Sequence, residues 1–474
     1  MKHDRLGPEL PRETQEKIQK YVELQQAGLI CLDDQFFPSV HYPPITMYSA
    51  ITENALFETY LPPAGRLFDV YVHIPFCLRH CIFCHYPIRI DASDLDKDYY
   101  LKKISEEINL YTTRLGVKNI RARSVLIGGG TPTLLTPAQL KKFLEGLSLK
   151  IDMSSCDQFC CDVDPTTLLG PDGQERMEIM RSFGVNRLTL GAQSFDDIIL
   201  NRMNRPHTAQ EALKAVENIK RFGFKLNLEF IFGYPGQSLE SWISTISQAI
   251  ALTPEEIQLY QLKIIPYGDF SGRIKVSFEK KADDFCPMAL TLAMKQTAIS
   301  MLAQNGYQEN IGRVFTKKPE DFSHYADNQC CGLLDQVGFG LTAFSSLRDR
   351  FALNTLDFNE YYSFIDAGKL PINRGLVRTK DDQQRWSLIL PLKNRKVYKK
   401  YYRDLNGISL NEVFAEKIAR LKEYGLLYED EKILSLTPLG RFFANEVCHQ
   451  FHHPRYMPFP EAAYAAGPLN PYND

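Results

Sequence analysis

The stretch DVYVHIPFCLRHCIFCHY, residues 69–86, carries the strongest structural pattern in this chain. It begins as an apolar run typical of a buried β-strand and continues into a loop that holds Cys77, Cys81 and Cys84. Three thiols at the spacing CxxxCxxC can bind three corners of a [4Fe–4S] cluster, because a short loop can wrap around a cube. The fourth iron would then lack a protein ligand, which indicates that a small molecule binds there. A zinc site with His85 as the fourth ligand is the alternative.

The strand before this loop is the first of six that alternate with helical stretches. The six short apolar runs lie at 69–74, 124–127, 158–162, 187–190, 225–232 and 257–264. Amphipathic stretches such as 209–222 and 238–251 lie between them, which is the pattern of parallel βα units. We therefore expect an α/β fold with a partial (βα)6 TIM-type barrel, and an open doubly wound sheet is the alternative. In both folds the functional side chains gather at the carboxyl ends of the strands.

The chain divides into five predicted segments. These are an N-terminal arm (1–65), the partial barrel (66–270), barrel-completing additions (271–378), a small winged-helix-like C-terminal domain (379–453) and a tail (454–474). The winged-helix prediction rests on helices followed by GLLYEDEKILSLTPLG, in which two short strands flank a charged turn. The tail is rich in Pro, Ala and Tyr, so we expect it to be loosely attached.

Composition narrows the class of protein. The 474 residues are 44% hydrophobic and carry a formal net charge of −2, as in an ordinary globular protein with no field that would attract nucleic acid or anionic lipid. We find neither an apolar run long enough for a membrane helix nor a signal peptide, so a cytoplasmic protein with no membrane or nucleic-acid partner is expected. The eleven cysteines are an odd number, which favours metal or redox chemistry over disulfides.

Five motifs, YVHIPFC, GGGTPT, GAQSF, NRPHT and FGYPGQ, follow one another in this order between residues 71 and 237. With the cysteine loop they resemble the radical S-adenosylmethionine (SAM) superfamily. Within it they resemble the oxygen-independent coproporphyrinogen dehydrogenase group, which includes class C radical SAM methylases, cyclopropanases and heme chaperones. The resemblance covers roughly 61–451. It implies a [4Fe–4S] cluster that cleaves SAM reductively to a 5′-deoxyadenosyl radical, with a reductant such as flavodoxin or ferredoxin as partner.

The resemblance also implies the site residues. The expected catalytic residues are Cys77, Cys81, Cys84, Arg205 and Glu229. The expected SAM contacts are Tyr71, Phe83, Tyr86, Gly129, Gly130, Thr131, Asp162, Gln193, Arg205 and Glu229. We expect the run 128–131 to expose backbone N–H groups to a ligand. Asp162 and Glu229 stand where the family has Glu and Asp, which keeps the charge but changes the reach. His207, Tyr260 and Gln261 are the predicted substrate contacts.

Three reactions of the group compete. Coproporphyrinogen dehydrogenases carry a further cysteine two places after the third cluster ligand, where this chain has Tyr86. Heme chaperones are typically shorter and have a His-Asn…Tyr-Trp signature that SHYADNQCCGLL, residues 323–334, does not reproduce. We therefore expect a class C methylase or cyclopropanase, in which two SAM molecules bind and the second donates a methyl or methylene group to an sp² carbon. Oxidative decarboxylation of the coproporphyrinogen type is the alternative, and a heme chaperone is the second.

Other candidate ligands are discounted. The predicted strand at 158–162 contains Cys160 and Cys161, so these cysteines are expected in the core and not around a second cluster with Cys156 or with 330–331. The Cys and His residues at 448–453 fit a helix end, and the Lys- and Tyr-rich run 392–403 fits a solvated helix face.

Overall fold

A computed structural model of the chain describes residues 10–32, 42–62, 64–264 and 273–473. Parts of the predicted arm, and the junction at which the partial barrel was expected to end, lie outside the described residues. The strands are β1 (Leu67–Ile74), β2 (Ile120–Gly129), β3 (Ile151–Asp152), β4 (Gln158–Val163), β5 (Arg187–Gln193), β6 (Lys225–Phe232), β7 (Glu256–Gln261), β8 (Gln308–Ile311), β9 (Val314–Thr316), β10 (Gln336–Phe339), β11 (Phe344–Leu347), β12 (Arg350–Asn354), β13 (Ile372–Val377), β14 (Lys396–Tyr398), β15 (Leu427–Glu429) and β16 (Ile433–Leu436). The helices are α1 (Arg12–Gln26), α2 (Glu53–Phe57), α3 (Asp94–Leu115), α4 (Pro137–Lys150), α5 (Gly170–Ser182), α6 (Asp197–Arg202), α7 (Ala209–Arg221), α8 (Leu239–Ala251), α9 (Arg273–Lys280), α10 (Met288–Gln304), α11 (His324–Cys330), α12 (Phe358–Asp366), α13 (Lys380–Asn394), α14 (Lys399–Asn406), α15 (Leu410–Glu423), α16 (Pro438–Phe442) and α17 (Ala444–His449).

The six predicted strands form the parallel centre of one large sheet. They are β1, β2, β4, β5, β6 and β7, and they lie side by side in that order. Each is followed by a helix that returns the chain to the same edge, so every carboxyl end points to one face of the fold. The predicted α/β fold is confirmed.

The segment after residue 272 extends this sheet at both edges. β10 pairs in parallel with β1 and carries the antiparallel strands β11, β12 and β13. On the other side the β8–β9 hairpin pairs antiparallel with β7. The additions therefore share the core of the six central strands, which places their loops around the same mouth.

The C-terminal unit has its own sheet, in the order β14-β16-β15, and its own apolar core around Trp386, Phe414 and Leu434. The expectation of a loosely attached tail is wrong. Leu469 is 1% exposed, and its backbone N–H donates to the Ala27 carbonyl at 2.8 Å. The tail is held because it buries apolar side chains against α1 and α15.

No helix in the described part of the chain combines the length and the apolar character needed to cross a bilayer.

Candidate active site

The cysteine loop follows β1 and is tied down along its length. Cys77 N–H donates to the Arg89 carbonyl at 3.2 Å, and Ile82 N–H donates to the Met203 carbonyl at 3.0 Å. The Asn204 amide donates to the His80 carbonyl at 2.8 Å. A loop held by these bonds presents its side chains in a fixed arrangement, which a preformed cluster site requires.

The three predicted ligands are free thiols that line one cavity. Arg205 Nη1 lies 3.3 Å from Cys81 Sγ, and the Thr131 hydroxyl lies 3.7 Å from Cys77 Sγ. Burial raises the pKa of Cys77 to about 12 and that of Cys84 to about 11, so a bound metal is needed to hold them as thiolates. This donor set fits a [4Fe–4S] cluster with three protein ligands and a cationic neighbour.

A zinc ion fits less well. His85, the proposed fourth zinc ligand, has its Nε2 atom 3.3 Å from the Lys263 carbonyl. The described residues contain no group of three His, Cys, Asp or Glu side chains arranged to hold a single metal ion. In a [4Fe–4S] cluster each of the three thiols binds a different corner of the cube. Such a site needs neither His85 nor three ligands around one ion, so it agrees with both observations.

The cavity measures about 740 Å³ and lies at the carboxyl ends of the parallel strands. Its volume is in the upper half of the roughly 300–1,000 Å³ typical of small-molecule sites. It is lined by every predicted site residue except His207, namely Tyr71, Cys77, Cys81, Phe83, Cys84, Tyr86, Gly129, Gly130, Thr131, Asp162, Gln193, Arg205, Glu229, Tyr260 and Gln261. Tyr86 is 58% exposed, as expected for a ring that forms part of an open wall.

The glycine run after β2 is packed so closely against neighbouring residues that it leaves no room for side chains. A Cβ on Gly129 would lie 2.5 Å from the His73 ring, and one on Gly130 would lie 2.7 Å from the Phe76 carbonyl oxygen. The expectation that this run exposes N–H groups is wrong for Gly130 and Thr131. Their N–H groups donate to the carbonyls of Ile74 and Phe76, at 2.8 and 2.7 Å. Strand β1 and the cysteine loop therefore use these donors.

Arg205 is held by a buried carboxylate. Its Nη2 lies 2.8 Å from Asp164 Oδ2, and the two side chains are 11% and 9% exposed. Burial raises the pKa of Asp164, but Arg205 and His207 outweigh that effect and lower it to about 2. His207 lies behind this pair, with Nε2 3.2 Å from the Ala192 carbonyl, and is not among the residues that line the cavity. Its position suits orienting Arg205 and Asp164 better than contacting substrate.

Asp162 and Glu229 face the cavity from β4 and β6. Burial and repulsion by Glu229 raise the pKa of Asp162, and burial raises that of Glu229. Tyr260 on β7 donates its hydroxyl proton to Glu229 Oε1 at 3.1 Å. The arrangement favours a proton on one of the two carboxyl groups, and binding of a cation beside them would release it.

Several buried polar atoms around the cavity have no partner among the described residues. They include His73 Nε2, Gln193 Oε1 and Arg205 Nε. Gln193 also has a φ of 65°, in the left-handed region that costs a residue with a side chain about 1 kcal/mol or more. Unpaired buried atoms and strain at one strand end are typical of a ligand-binding site, and a polar ligand such as SAM would satisfy these atoms.

Sequence reasoning missed several residues of the cavity wall, notably His73, Asp164, Lys263 and Arg313. Three of them had a signal. His73 and Asp164 lie two places from the predicted contacts Tyr71 and Asp162, and Lys263 lies in the last predicted strand run. Arg313 had none, because it comes from a hairpin that only the folded sheet brings to the site. The discounted Cys160 and Cys161 are buried in β4 at 2% and 1% exposure, as expected.

Comparison with known proteins agrees with this geometry. The chain contains a radical SAM domain: residues 71–249 match the profile of the radical SAM superfamily, a family that uses a [4Fe–4S] cluster and SAM. A second profile, the HemN C-terminal domain, matches residues 379–443. The relatives that it matches include oxygen-independent coproporphyrinogen III oxidases and heme chaperones, the group that its motifs resemble.

Individual relatives support that resemblance. The chain is 29% identical to the oxygen-independent coproporphyrinogen III oxidase of Pseudomonas aeruginosa, over 83% of this chain and 87% of the relative. It is 26% identical to the heme chaperone HemW of Bacillus subtilis, over 81% and 98%. The structure of the coproporphyrinogen III oxidase HemN from Escherichia coli superposes with a TM-score of 0.75 at 25% identity, covering 87% of this chain and 96% of that one.

These relatives overturn one prediction. The methylase or cyclopropanase reaction was inferred from Tyr86 and from the absence of a chaperone signature, and it is wrong. The relatives compared above match over most of this chain, and they are coproporphyrinogen III oxidases and a heme chaperone. One side chain beside a cluster is a weak guide to the reaction, because the same site geometry serves several chemistries.

Proposed function

We propose that this protein is a radical SAM oxidoreductase that decarboxylates the propionate side chains of a coproporphyrinogen-type tetrapyrrole. The observation that carries the proposal is similarity over 87% of this chain and 96% of the HemN structure, across both the cluster domain and the C-terminal domain. Tyr86 does not oppose it, because the three-thiol loop needs no fourth cysteine.

When bound, the cluster and SAM supply the radical that removes hydrogen from carbon. The residues of this chain hold and orient the reactants. Arg205, fixed by Asp164, places a positive charge beside Cys81. Each propionate that reacts would lose one hydrogen atom, one electron and CO2, and a vinyl group would remain. A one-electron acceptor takes up the electron.

In the test, the reconstituted cluster is reduced with dithionite, excess dithionite is removed, and the enzyme is incubated anaerobically with SAM, coproporphyrinogen III and an added one-electron acceptor. We expect 5′-deoxyadenosine and CO2 in about equal amounts, with vinyl products in the mass spectrum. Cys81→Ala is the control and should form neither. Formation of S-adenosylhomocysteine with a gain of carbon, or 5′-deoxyadenosine without CO2, would contradict the proposal.

A heme chaperone is the second candidate, since the match to HemW covers 98% of that relative. It predicts stoichiometric heme binding, visible as a Soret band, without turnover of a porphyrinogen. Titration of the same preparation with heme separates the two functions. A cytoplasmic location, the presence of two SAM molecules and a flavodoxin or ferredoxin reductant stay predictions.

A further inference from the structure

Two partly buried cations in the cavity wall differ from Arg187 and Arg205. Arg187 and Arg205 also line the cavity, and each is neutralised by a buried carboxylate, Glu256 at 2.7 Å and Asp164 at 2.8 Å. Lys263 and Arg313 line the same cavity but form no ion pair with any carboxylate in the part of the chain that the structure describes. Arg79 also lines the cavity without a carboxylate partner among the described residues, but its side chain is exposed. The charge of Arg313 acts on the Glu229 carboxyl, whose pKa it lowers against the effect of burial, but the two side chains form no ion pair. Positive charge that no carboxylate pairs with at a cavity wall attracts anions.

The backbone at Arg313 indicates that its side chain matters. The residue lies in the turn between β8 and β9 with a φ of 64°, in the left-handed region that favours Gly or Asn. An arginine there costs about 1 kcal/mol in backbone strain. Its guanidinium lies over the Tyr260 ring, 4.6 Å from the centroid, and this contact holds the charge beside β7.

Lys263 is placed beside the cysteine loop. It follows β7, and its carbonyl oxygen lies 3.3 Å from His85 Nε2, so the lysine is tied to the residue after the third thiol. Burial, together with the charges of Arg313 and Lys393, lowers the pKa of its ammonium to about 7. An anion between Lys263 and Arg313 would relieve this repulsion and restore the full charge.

We propose that Lys263 and Arg313 form a carboxylate-binding subsite that holds propionate groups of the substrate at the β7 end of the cavity. The inference rests on the proposed function and specifies which residues recognise the substrate. An arginine fork and a lysine point charge suit carboxylates, and two such cations suit a molecule with several of them. The carboxylate of SAM has the same chemistry, so the experiment must distinguish the two sources.

The experiment measures binding to the anaerobic holoenzyme. The probes are coproporphyrin III, a stable tetracarboxylate followed by fluorescence quenching, its uncharged tetramethyl ester, and SAM followed by equilibrium dialysis. The neutral variants are Lys263→Gln and Arg313→Asn, and asparagine tolerates the left-handed backbone. Each should weaken coproporphyrin binding by about 10–100-fold and leave ester and SAM binding unchanged. Lys141→Gln, on the exposed face of α4, is the matched control and should change nothing.

Conservative variants and the absorbance of the cluster distinguish a loss of binding from a loss of folding. Lys263→Arg and Arg313→Lys keep the charge and should bind coproporphyrin within a few-fold of wild type, with full cluster absorbance. Equal coproporphyrin affinity in wild type and both neutral variants would overturn the subsite. Loss of SAM binding with unchanged coproporphyrin binding would overturn it too, because the anion would then be SAM.

The subsite and the proposed function can fail separately. Charge-dependent binding of coproporphyrin without conversion of coproporphyrinogen would refute the function and support the subsite. Conversion that the neutral variants carry out with unchanged KM would support the function and refute the subsite. If wild type neither binds nor converts the tetracarboxylate, both are wrong.

Discussion

Replacing Arg205 by methionine should destabilise the protein and remove a positive charge beside the cysteine loop. The guanidinium donates to Asp164 Oδ2 and to the Gly191 carbonyl, each at 2.8 Å, and reaches Cys81 Sγ at 3.3 Å. Methionine has a similar length but supplies none of these bonds, so the Asp164 carboxylate would remain buried without its cation.

The size of the loss follows from the ion pair. Although burial raises it, the pKa of Asp164 is lowered from 3.8 to about 2, mainly by Arg205, which corresponds to about 2 kcal/mol. The lost bond to the Gly191 carbonyl adds about 1 kcal/mol, for a total of about 3 kcal/mol. Because the folded-state pKa is depressed, this stability is present above about pH 4 and disappears as the pH falls toward 2. The loss should therefore shrink as the pH falls below about 4.

Urea unfolding followed by circular dichroism measures this effect in wild type, Arg205→Met, Asp164→Asn and the double variant. We expect the double variant to be less destabilised than the sum of the single ones, by about 2 kcal/mol, because the partners interact. Arg205→Lys keeps the charge but loses the planar fork, so its stability should lie between wild type and Arg205→Met. If Arg205→Met lowers the free energy of unfolding by less than about 0.5 kcal/mol, or if the effects of the two single variants simply add, the ion pair does not stabilise the fold as argued.

Two further substitutions test the surroundings of the site. Gly130→Ala puts a Cβ 2.7 and 2.8 Å from two backbone carbonyl oxygens and 3.0 Å from Cys77 Sγ. The cysteine loop must therefore shift, and anaerobic reconstitution should yield much less cluster absorbance. Gly146→Ala is the control because its Cβ meets nothing within 4 Å, and full cluster content in both variants would contradict the argument. Glu256→Gln leaves Arg187 buried without its partner, since both side chains are 1% exposed, and should cost about 3–5 kcal/mol in urea unfolding. A loss below about 1 kcal/mol would show that Arg187 is stabilised by other groups.

Local pattern predicted the architecture well because strands and thiol loops are encoded by neighbours in sequence. The predicted strand 225–232 coincides with β6, and each of the other five overlaps its strand. Polar residues at the strand ends were placed at the cavity because parallel strands in βα units end at one edge. Contacts that depend on chain distant in sequence were not predictable in this way, and the docked tail is an example.

The class of chemistry could be predicted from sequence, since CxxxCxxC after a strand and the motifs at later strand ends are local patterns. Which groups act together depends on the folded chain. The fold put His207 behind Arg205 and brought Lys263 and Arg313 to one wall. It also paired the N–H groups of Gly130 and Thr131 with the end of β1 and the start of the cysteine loop. The hydrogen-bond partners, the burial and the ion pairing of a side chain depend on its neighbours in space. Such neighbours can be far apart in sequence, and Lys263 and Arg313 are separated by 50 residues.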